Sequence, residues 1–267
     1  MEIREYVRAQ SLQQAYELNQ RRDSRILGGG LWLRLDRRPI GAAIDLGGLG
    51  LDGIREGSEA FSIGAMTPLR ALETHPGFNA YTQGAAARAL ESIVGVQFRN
   101  LATVGGSIFG RFGFSDVLTL FLALDAQVEL FQRGTVPLEE FVQMPPDRDV
   151  LVRVTVAKRP GDFTYLSVRN SRTDFPVLAC ALSRMEGEYR AAYGARPGRA
   201  MVVRDGDGIL SGGISPDSAR AFGEYAAARV PTGSNSRASA AYRTHLVKVL
   251  TQRGLLELGG RPSWTST

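Results

Sequence analysis

Cysteine occurs once in this 267-residue chain, at Cys180. That scarcity excludes an internal disulfide, and it excludes an iron–sulfur cluster or cysteine-rich zinc site held by this chain alone. Any such centre must sit in a partner. Histidine is nearly as scarce: His75 falls in a turn-like Thr74-His75-Pro76-Gly77, and His245 in a helical pattern. Neither has Cys, His or carboxylate neighbours at ligand spacing, so both read as solvated or packed side chains rather than metal ligands or triad members. Long apolar runs are missing as well. The N-terminal "MEIREYVRAQSLQQAYELN" is charged and polar, unlike a signal peptide, and no segment approaches the roughly 18 uncharged apolar residues of a membrane span. A soluble, cytoplasmic chain is therefore expected. Nor is there a strong charge excess: 32 Lys+Arg against 27 Asp+Glu leaves +5, nearly all the basic charge being arginine. Basic residues are mixed with acids, as in Asp36-Arg37-Arg38 and Asp147-Arg148-Asp149, without the stripe or tail of a nucleic-acid binder.

What is present is an ordinary globular composition, 43% hydrophobic, enough for two domains or one domain with subdomains. Ser11 caps a first helix in which Leu12, Ala15 and Leu18 recur at helical spacing. "SRILGGGLWLRL" reads as a strand broken by three glycines and resumed at Leu31-Trp32-Leu33. Strands follow at Ala43 to Leu46 and Ala60 to Ile63, and Thr67-Pro68 reads as the cap and first-turn proline of a helix. To this point the order is βαβ-like. The alanine-rich stretch from Thr82 to Val94 is helical, Ser115 caps an apolar helix, and strands are expected at Gln127 to Phe131 and in "DVLVRVTVAK". Breakers around Arg159-Pro160-Gly161 mark a domain junction. Beyond it the pattern gives a strand "FTYLSVRN", a helix at Thr173 to Leu182, strands "EYRAAYGA" and "AMVVRDG", and helices at Ser215 to Val230 and Arg237 to Arg253. In the last helix Tyr242, Leu246, Val249 and Leu250 share a face, and "RPSWTST" is a frayed tail.

Two glycine clusters carry the chemistry: Gly28-Gly29-Gly30 after Ile26-Leu27, and Gly105-Gly106 after Thr103-Val104. Each follows an apolar, strand-like pair. Successive glycines after a strand suit a nest of inward-facing amides for an anion, or merely a tight turn. Neither is a dinucleotide G-x-G-x-x-G fingerprint, and no lysine follows to make a P-loop.

Together with their surroundings these stretches resemble the FAD-binding, or medium, subunit of the molybdenum hydroxylase family, as in xanthine dehydrogenase-like and carbon monoxide dehydrogenase-like enzymes. The resemblance is carried by "RILGGGLWLRL", "AAIDL", "FSIGAMTPLRAL" and above all "VQFRNLATVGGSI" followed by "SDVLTLFLALDAQVEL". "YLSVRNSRTDFPVLACALS" and "RASAAYRTHLVKVLTQRGL" extend it over nearly the whole chain. It implies an α+β fold: a vanillyl-alcohol-oxidase (PCMH)-type FAD-binding domain over residues 1–157, with subdomains at about 1–54 and 55–157. A C-terminal α+β domain at 158–258, a small antiparallel sheet with a helical bundle, and a tail at 259–267 complete it. FAD would lie extended between the subdomains with its pyrophosphate on both glycine loops. The cofactor-binding residues so implied are Leu27, Gly28, Gly29, Gly30, Leu31, Trp32, Thr103, Gly105, Gly106, Ser107, Asp116 and Leu151. Asp116 matches the family's cofactor-bonding aspartate, although an acid there also suits the positive end of a helix. Arg99-Asn100 are expected to fix the loop.

Against the family pattern, Leu31 stands for a threonine, Trp32 for an acid and Ser107 for an asparagine. "FGRFGFSD" replaces a small-residue stretch, and its Arg111, Phe112 and Phe114 suit stacking on adenine or flavin, blocking the site, or binding a partner. Ser167 stands near a position where some members carry a lysine close to the flavin. The implied function is electron transfer: a molybdenum cofactor in a large partner subunit, two iron–sulfur clusters of [2Fe-2S] type in a small one, and an FAD here that passes electrons to NAD or another acceptor. No catalytic acid, base or nucleophile is then needed in this chain. Two rivals remain, a degenerate, cofactor-free member serving as a structural or assembly subunit and a free-standing flavin reductase.

Overall fold

The computed structural model describes residues 2–35 and 37–260. Its N-terminal part is a small parallel sheet. β1 (Ile3–Arg8), β2 (Arg25–Leu27) and β3 (Ile40–Asp45) lie in the order β1-β3-β2, with α1 (Leu12–Asn19) between the first two in sequence. The Ser11 hydroxyl accepts the Gln14 N–H at 3.1 Å and so caps α1 as its sequence requires. β1 has no counterpart in the sequence pattern, because its side chains are almost all exposed and leave no alternation to read. It is held by its ladder to β3 and by the Tyr6 hydroxyl on Asp45, at 2.5 Å. The strand expected to resume at Leu31 does not: Gly30 takes a left-handed φ of +69° and the chain leaves the sheet into a 3₁₀ turn, Leu33–Leu35.

The second part is an antiparallel sheet of β4 (Ile54–Glu56), β5 (Ala60–Gly64), β6 (Gln127–Leu130), β7 (Gly134–Pro137) and β8 (Leu151–Ala157), ordered β4-β5-β8-β6-β7. Between β5 and β6 run α2 (Leu69–Thr74), α3 (Pro76–Tyr81), α4 (Ala85–Glu91), α5 (Val96–Leu101), α6 (Val104–Phe109) and α7 (Asp116–Ala123), and α8 (Leu138–Gln143) joins β7 to β8. Pro68, not Thr67, flanks α2, since the Thr67 hydroxyl donates to Gly53 O at 2.9 Å instead of capping. The helix expected over Thr82 to Val94 is cut back to α4, which starts after Gly84 in left-handed conformation. His75 caps α3 by accepting the Phe78 N–H on Nδ1 at 3.0 Å.

The third part is a meander, β9 (Gly161–Arg169), β10 (Pro176–Met185), β11 (Glu188–Gly194) and β12 (Met201–Arg204), ordered β12-β11-β10-β9, with α9 (Pro216–Arg229) and α10 (Ala240–Gly259). The helix expected at Thr173 to Leu182 is instead β10. Ala179 and Ala181 face the core built around α7 and the second sheet, whereas Leu178, Cys180 and Leu182 face the core built with α9 and α10. A strand buried on both faces is apolar throughout, and that continuous run is what mimics a helix. α10 runs on to Gly259 and buries Arg243, Leu246, Val247 and Leu250, while Tyr242 is exposed, so its inner face is displaced from the expected one. The expected tail lies, from residue 261 on, outside the described residues. Among the described residues no helix is long and apolar enough to cross a membrane.

Candidate functional site

A cavity of about 720 Å³ opens where the loop after β2, the helices after β5 and the loop after β9 meet. Of the residues singled out from the sequence, it brings together Gly28, Gly29, Gly30, Leu31, Trp32, Thr103, Gly105, Gly106, Ser107, Asp116 and Leu151. Leu27 is the last residue of β2 and is not part of its wall.

The first glycine loop is held open. Among the described residues, the N–H groups of Gly28, Gly29, Gly30, Leu31 and Trp32 meet no hydrogen-bond acceptor. Consecutive unpaired amides on a cavity wall form the positive concavity in which an anion settles. The loop needs its glycines for a second reason. A Cβ on Gly29 would stand 2.0 Å from Leu101 O, and one on Gly28 2.9 Å from Thr103 Oγ1, so the two loops touch backbone to backbone.

The second glycine pair is built differently from the sequence expectation. It lies in the first turn of α6 rather than after a strand, because the Thr103 hydroxyl caps that helix. Gly105 N–H donates to Ala65 O at 2.7 Å, Gly106 N–H to Thr103 Oγ1 at 3.1 Å and Ser107 N–H to Thr103 O at 3.1 Å. These amides are occupied within the chain, so of the two glycine clusters it is the first that presents unpaired N–H groups among the described residues. Gly105 is required by close packing, since a Cβ there would lie 2.7 Å from Ala65 O. Gly106 is exposed at the cavity, with only Thr103 Oγ1 near a Cβ, at 3.1 Å.

Asp116, at the start of α7, is engaged by the C-terminal sheet. Its Oδ1 accepts from Arg169 Nη2 at 2.5 Å and from the Tyr165 hydroxyl. Burial pushes the Asp116 carboxyl up, against the pull of Arg169 and Tyr165. Burial and then the Asp116 charge hold the Tyr165 hydroxyl well above its ordinary range, so it stays a donor. Among the described residues, three buried polar atoms of residues on the cavity wall have no partner: Ser24 Oγ, Asp147 Oδ2 and Arg169 Nε.

The surrounding arginines are structural. Arg99 binds Glu73 through Nε at 2.6 Å and Nη2 at 3.1 Å and donates to Ile93 O, which fixes the segment before α6. Arg148 donates to the carbonyls of Asn19, Arg21 and Arg22 and so clasps the first part of the chain to the second. Arg111 turns away from the cavity, its guanidinium 3.9 Å above the Phe141 ring. Ser167 lies outside the main cavity, in a smaller adjoining pocket with Arg88, Arg169 and Arg172.

Sequence reasoning missed Ser24, Arg148, Tyr165, Arg169 and Phe175. Arg148 appears in sequence only as one of several mixed charges, and Phe175 sits in the stretch read as a helix. In the structure the Phe175 ring stacks on Trp32, with centroids 5.7 Å apart and planes at 24°, and Phe114 and Phe112 join at 5.4 and 6.0 Å from Trp32.

Among the described residues, this α+β chain gathers a glycine loop with unpaired amides and several aromatic rings around one cavity. A family model described as the FAD binding domain in molybdopterin dehydrogenase matches residues 1–157, and the chain belongs to that family. It is 28% identical over 261 residues to the nicotine 6-hydroxylase medium subunit of Paenarthrobacter nicotinovorans, covering 90% of this chain and 91% of that one. It is 26% identical over 276 residues to the glyceraldehyde dehydrogenase medium chain of Sulfolobus acidocaldarius, covering 95% and 97%. Among solved structures, a reconstituted CO dehydrogenase from Oligotropha carboxidovorans superposes with a TM-score of 0.86 at 23% identity, over 97% of this chain and 98% of that one. Carbon monoxide dehydrogenase from Hydrogenophaga pseudoflava gives 0.84 at 24% identity, over 96% of each. The fold is thus a PCMH-type FAD-binding domain followed by a C-terminal α+β domain, and the chain is an oxidoreductase subunit of the flavoprotein kind.

Proposed function

We propose that this chain holds one FAD in the cavity and serves as the electron-transferring medium subunit of a molybdenum hydroxylase, between an iron–sulfur small subunit with a molybdenum-binding large subunit and an acceptor such as NAD. The observation that carries the reading is the run from Gly28 to Trp32 on the cavity wall, whose five amides are unpaired among the described residues, which suits a diphosphate. Residues 1–157 supply most of that wall, and the C-terminal domain from 158 on closes it with Arg169 and Phe175.

The residues present fit the group. The first loop donates to the diphosphate, and the Thr103 hydroxyl and smooth glycine surface of α6 form the opposing wall. Ser24, Asp147 and Arg169 also line the cavity, with their unpaired atoms buried beneath its surface. Asp116 positions rather than binds, by fixing Arg169 at the rim. When bound, the flavin supplies the redox chemistry, accepting and passing on electrons. This chain's own contribution is to bind, orient and shield it, and no side chain here needs to act as acid, base or nucleophile. With one buried cysteine the chain cannot ligate a cluster, so electrons must arrive through a partner.

The test is recovery from the native host at mild salt. The reading expects a complex with an iron–sulfur chain and a large molybdenum-containing chain, carrying about one FAD per copy of this chain. A colourless protein recovered with those partners would favour a purely structural subunit, and a lone flavoprotein would favour a stand-alone reductase.

A further inference from the structure

Trp32, Phe112, Phe114 and Phe175 come from three separate segments: the first glycine loop, the connection from α6 to α7, and the connection from β9 to β10. All four line the cavity. Despite its ring contacts, Trp32 remains 42% exposed and Phe112 38% exposed. Phe175 is fixed from behind. Its N–H donates to Asp174 Oδ1 at 2.7 Å, Asp174 is paired with Arg237 at 3.0 Å, and the Arg237 guanidinium lies 5.0 Å from the Phe175 ring centroid. Arg169 also donates to Asp174 O at 2.6 Å, so the loop that carries Phe175 is tied to the same side chain that grips Asp116.

Aromatic surface left open on a cavity wall is a binding surface for another flat apolar group. Its position is specific, because Trp32 is the last residue of the free-amide loop, so a ring stacked on it belongs to the molecule whose anion that loop holds. Leu31 and Trp32 offer no side-chain hydroxyl or carboxylate there, and the indole face is what remains to hold a ligand.

We propose that Trp32, backed by Phe175, is the stacking platform for a planar heteroaromatic ring of the bound dinucleotide, so that ring stacking anchors the ligand beside its diphosphate. This rests on the FAD reading above. The ring is the adenine or the isoalloxazine, which share a flat aromatic face that stacks on an indole.

Trp32 and Trp264 are the two tryptophans of the chain, so Trp264→Phe leaves Trp32 as the sole indole reporter. In the adenine arm, ADP is titrated into that protein, and stacking shifts and quenches Trp32 emission. In the flavin arm, FAD is bound and its own emission read; an indole in contact quenches it by short-range electron transfer, and Trp32→Leu restores it several-fold. Exactly which arm responds identifies the ring. In either case Trp32→Leu should weaken FAD by about tenfold, within the range that stacking on one aromatic side chain supplies. Trp32→Phe should recover most of that loss, with apo melting temperatures unchanged. FAD bound at one per chain with neither emission responding, and with Trp32→Leu binding as tightly as the wild type or more tightly, would overturn the platform and leave the FAD reading standing. A wild-type protein that takes up no FAD by absorbance overturns both.

Discussion

Arg169 Nη2 stands 2.5 Å from Asp116 Oδ1, with both side chains almost fully buried. A cation at the end of the first C-terminal strand is thereby paired with a carboxylate at the start of α7, across the seam that closes the cavity. Removing one partner of a buried pair strands the other. Arg169→Ala should cost about 3–5 kcal/mol of stability at neutral pH. Burial already raises the Asp116 carboxyl, and without Arg169 it rises further. A raised folded-state value stabilises at low pH and loses that contribution as pH climbs through it. The deficit of the variant should therefore be full at about pH 7 and shrink toward about pH 4, as read by urea unfolding at the two values. A deficit independent of pH would show that the pair is not what holds the seam.

The Glu73 carboxyl, paired with Arg99, is shifted in the opposite direction from Asp116, yet its variant should show the same loss of deficit on acidification. Burial would raise the Glu73 carboxyl, but the hydrogen bonds from Arg99 and Arg70 outweigh it and hold the group below the ordinary value of 4.5. A depressed carboxylate stabilises above its unfolded value and loses that contribution on acidification. Glu73→Gln should be less stable than wild type by about 3 kcal/mol at neutral pH and converge with it below about pH 3. Thermal unfolding across that range checks it.

The two glycine loops should respond differently to side chains. Gly29→Ala places a Cβ against Leu101 O, with 2.0 Å available, so the loops must separate and both stability and FAD affinity should fall. Gly106→Val projects into open cavity beside Thr103. It should weaken FAD by about 2 kcal/mol while changing the apo melting temperature little. Calorimetric titration and apo melting curves of both variants separate a wall of the binding site from a structural contact.

Much of this architecture was legible in sequence wherever one face of an element meets solvent. Ser11 and Ser115 announce their helices because a capping hydroxyl is a local requirement. β10 was not legible, because burial on both sides erases the alternation that identifies a strand. β1 failed for the reverse reason, having almost no buried side chain. At the site, both glycine clusters lie on the wall of the same cavity, but which of their amides are free depends on Ala65 O and the Thr103 hydroxyl, and those are tertiary facts. The pairing of Trp32 with Phe175 joins segments far apart in the chain, and no local pattern carries it.

The most direct test of the account is a calorimetric titration of the flavin-free protein with FAD and, separately, with FMN. In the proposed reading Gly28 to Trp32 cradle a diphosphate, in a cavity whose wall also holds Ser24, Asp147 and the aromatic residues Trp32, Phe112, Phe114 and Phe175. The account predicts one FAD bound per chain, with FMN weaker by at least tenfold because a single phosphate fills only part of the nest. No heat and no retained visible absorption at excess FAD, or equal affinity for FMN, would contradict it.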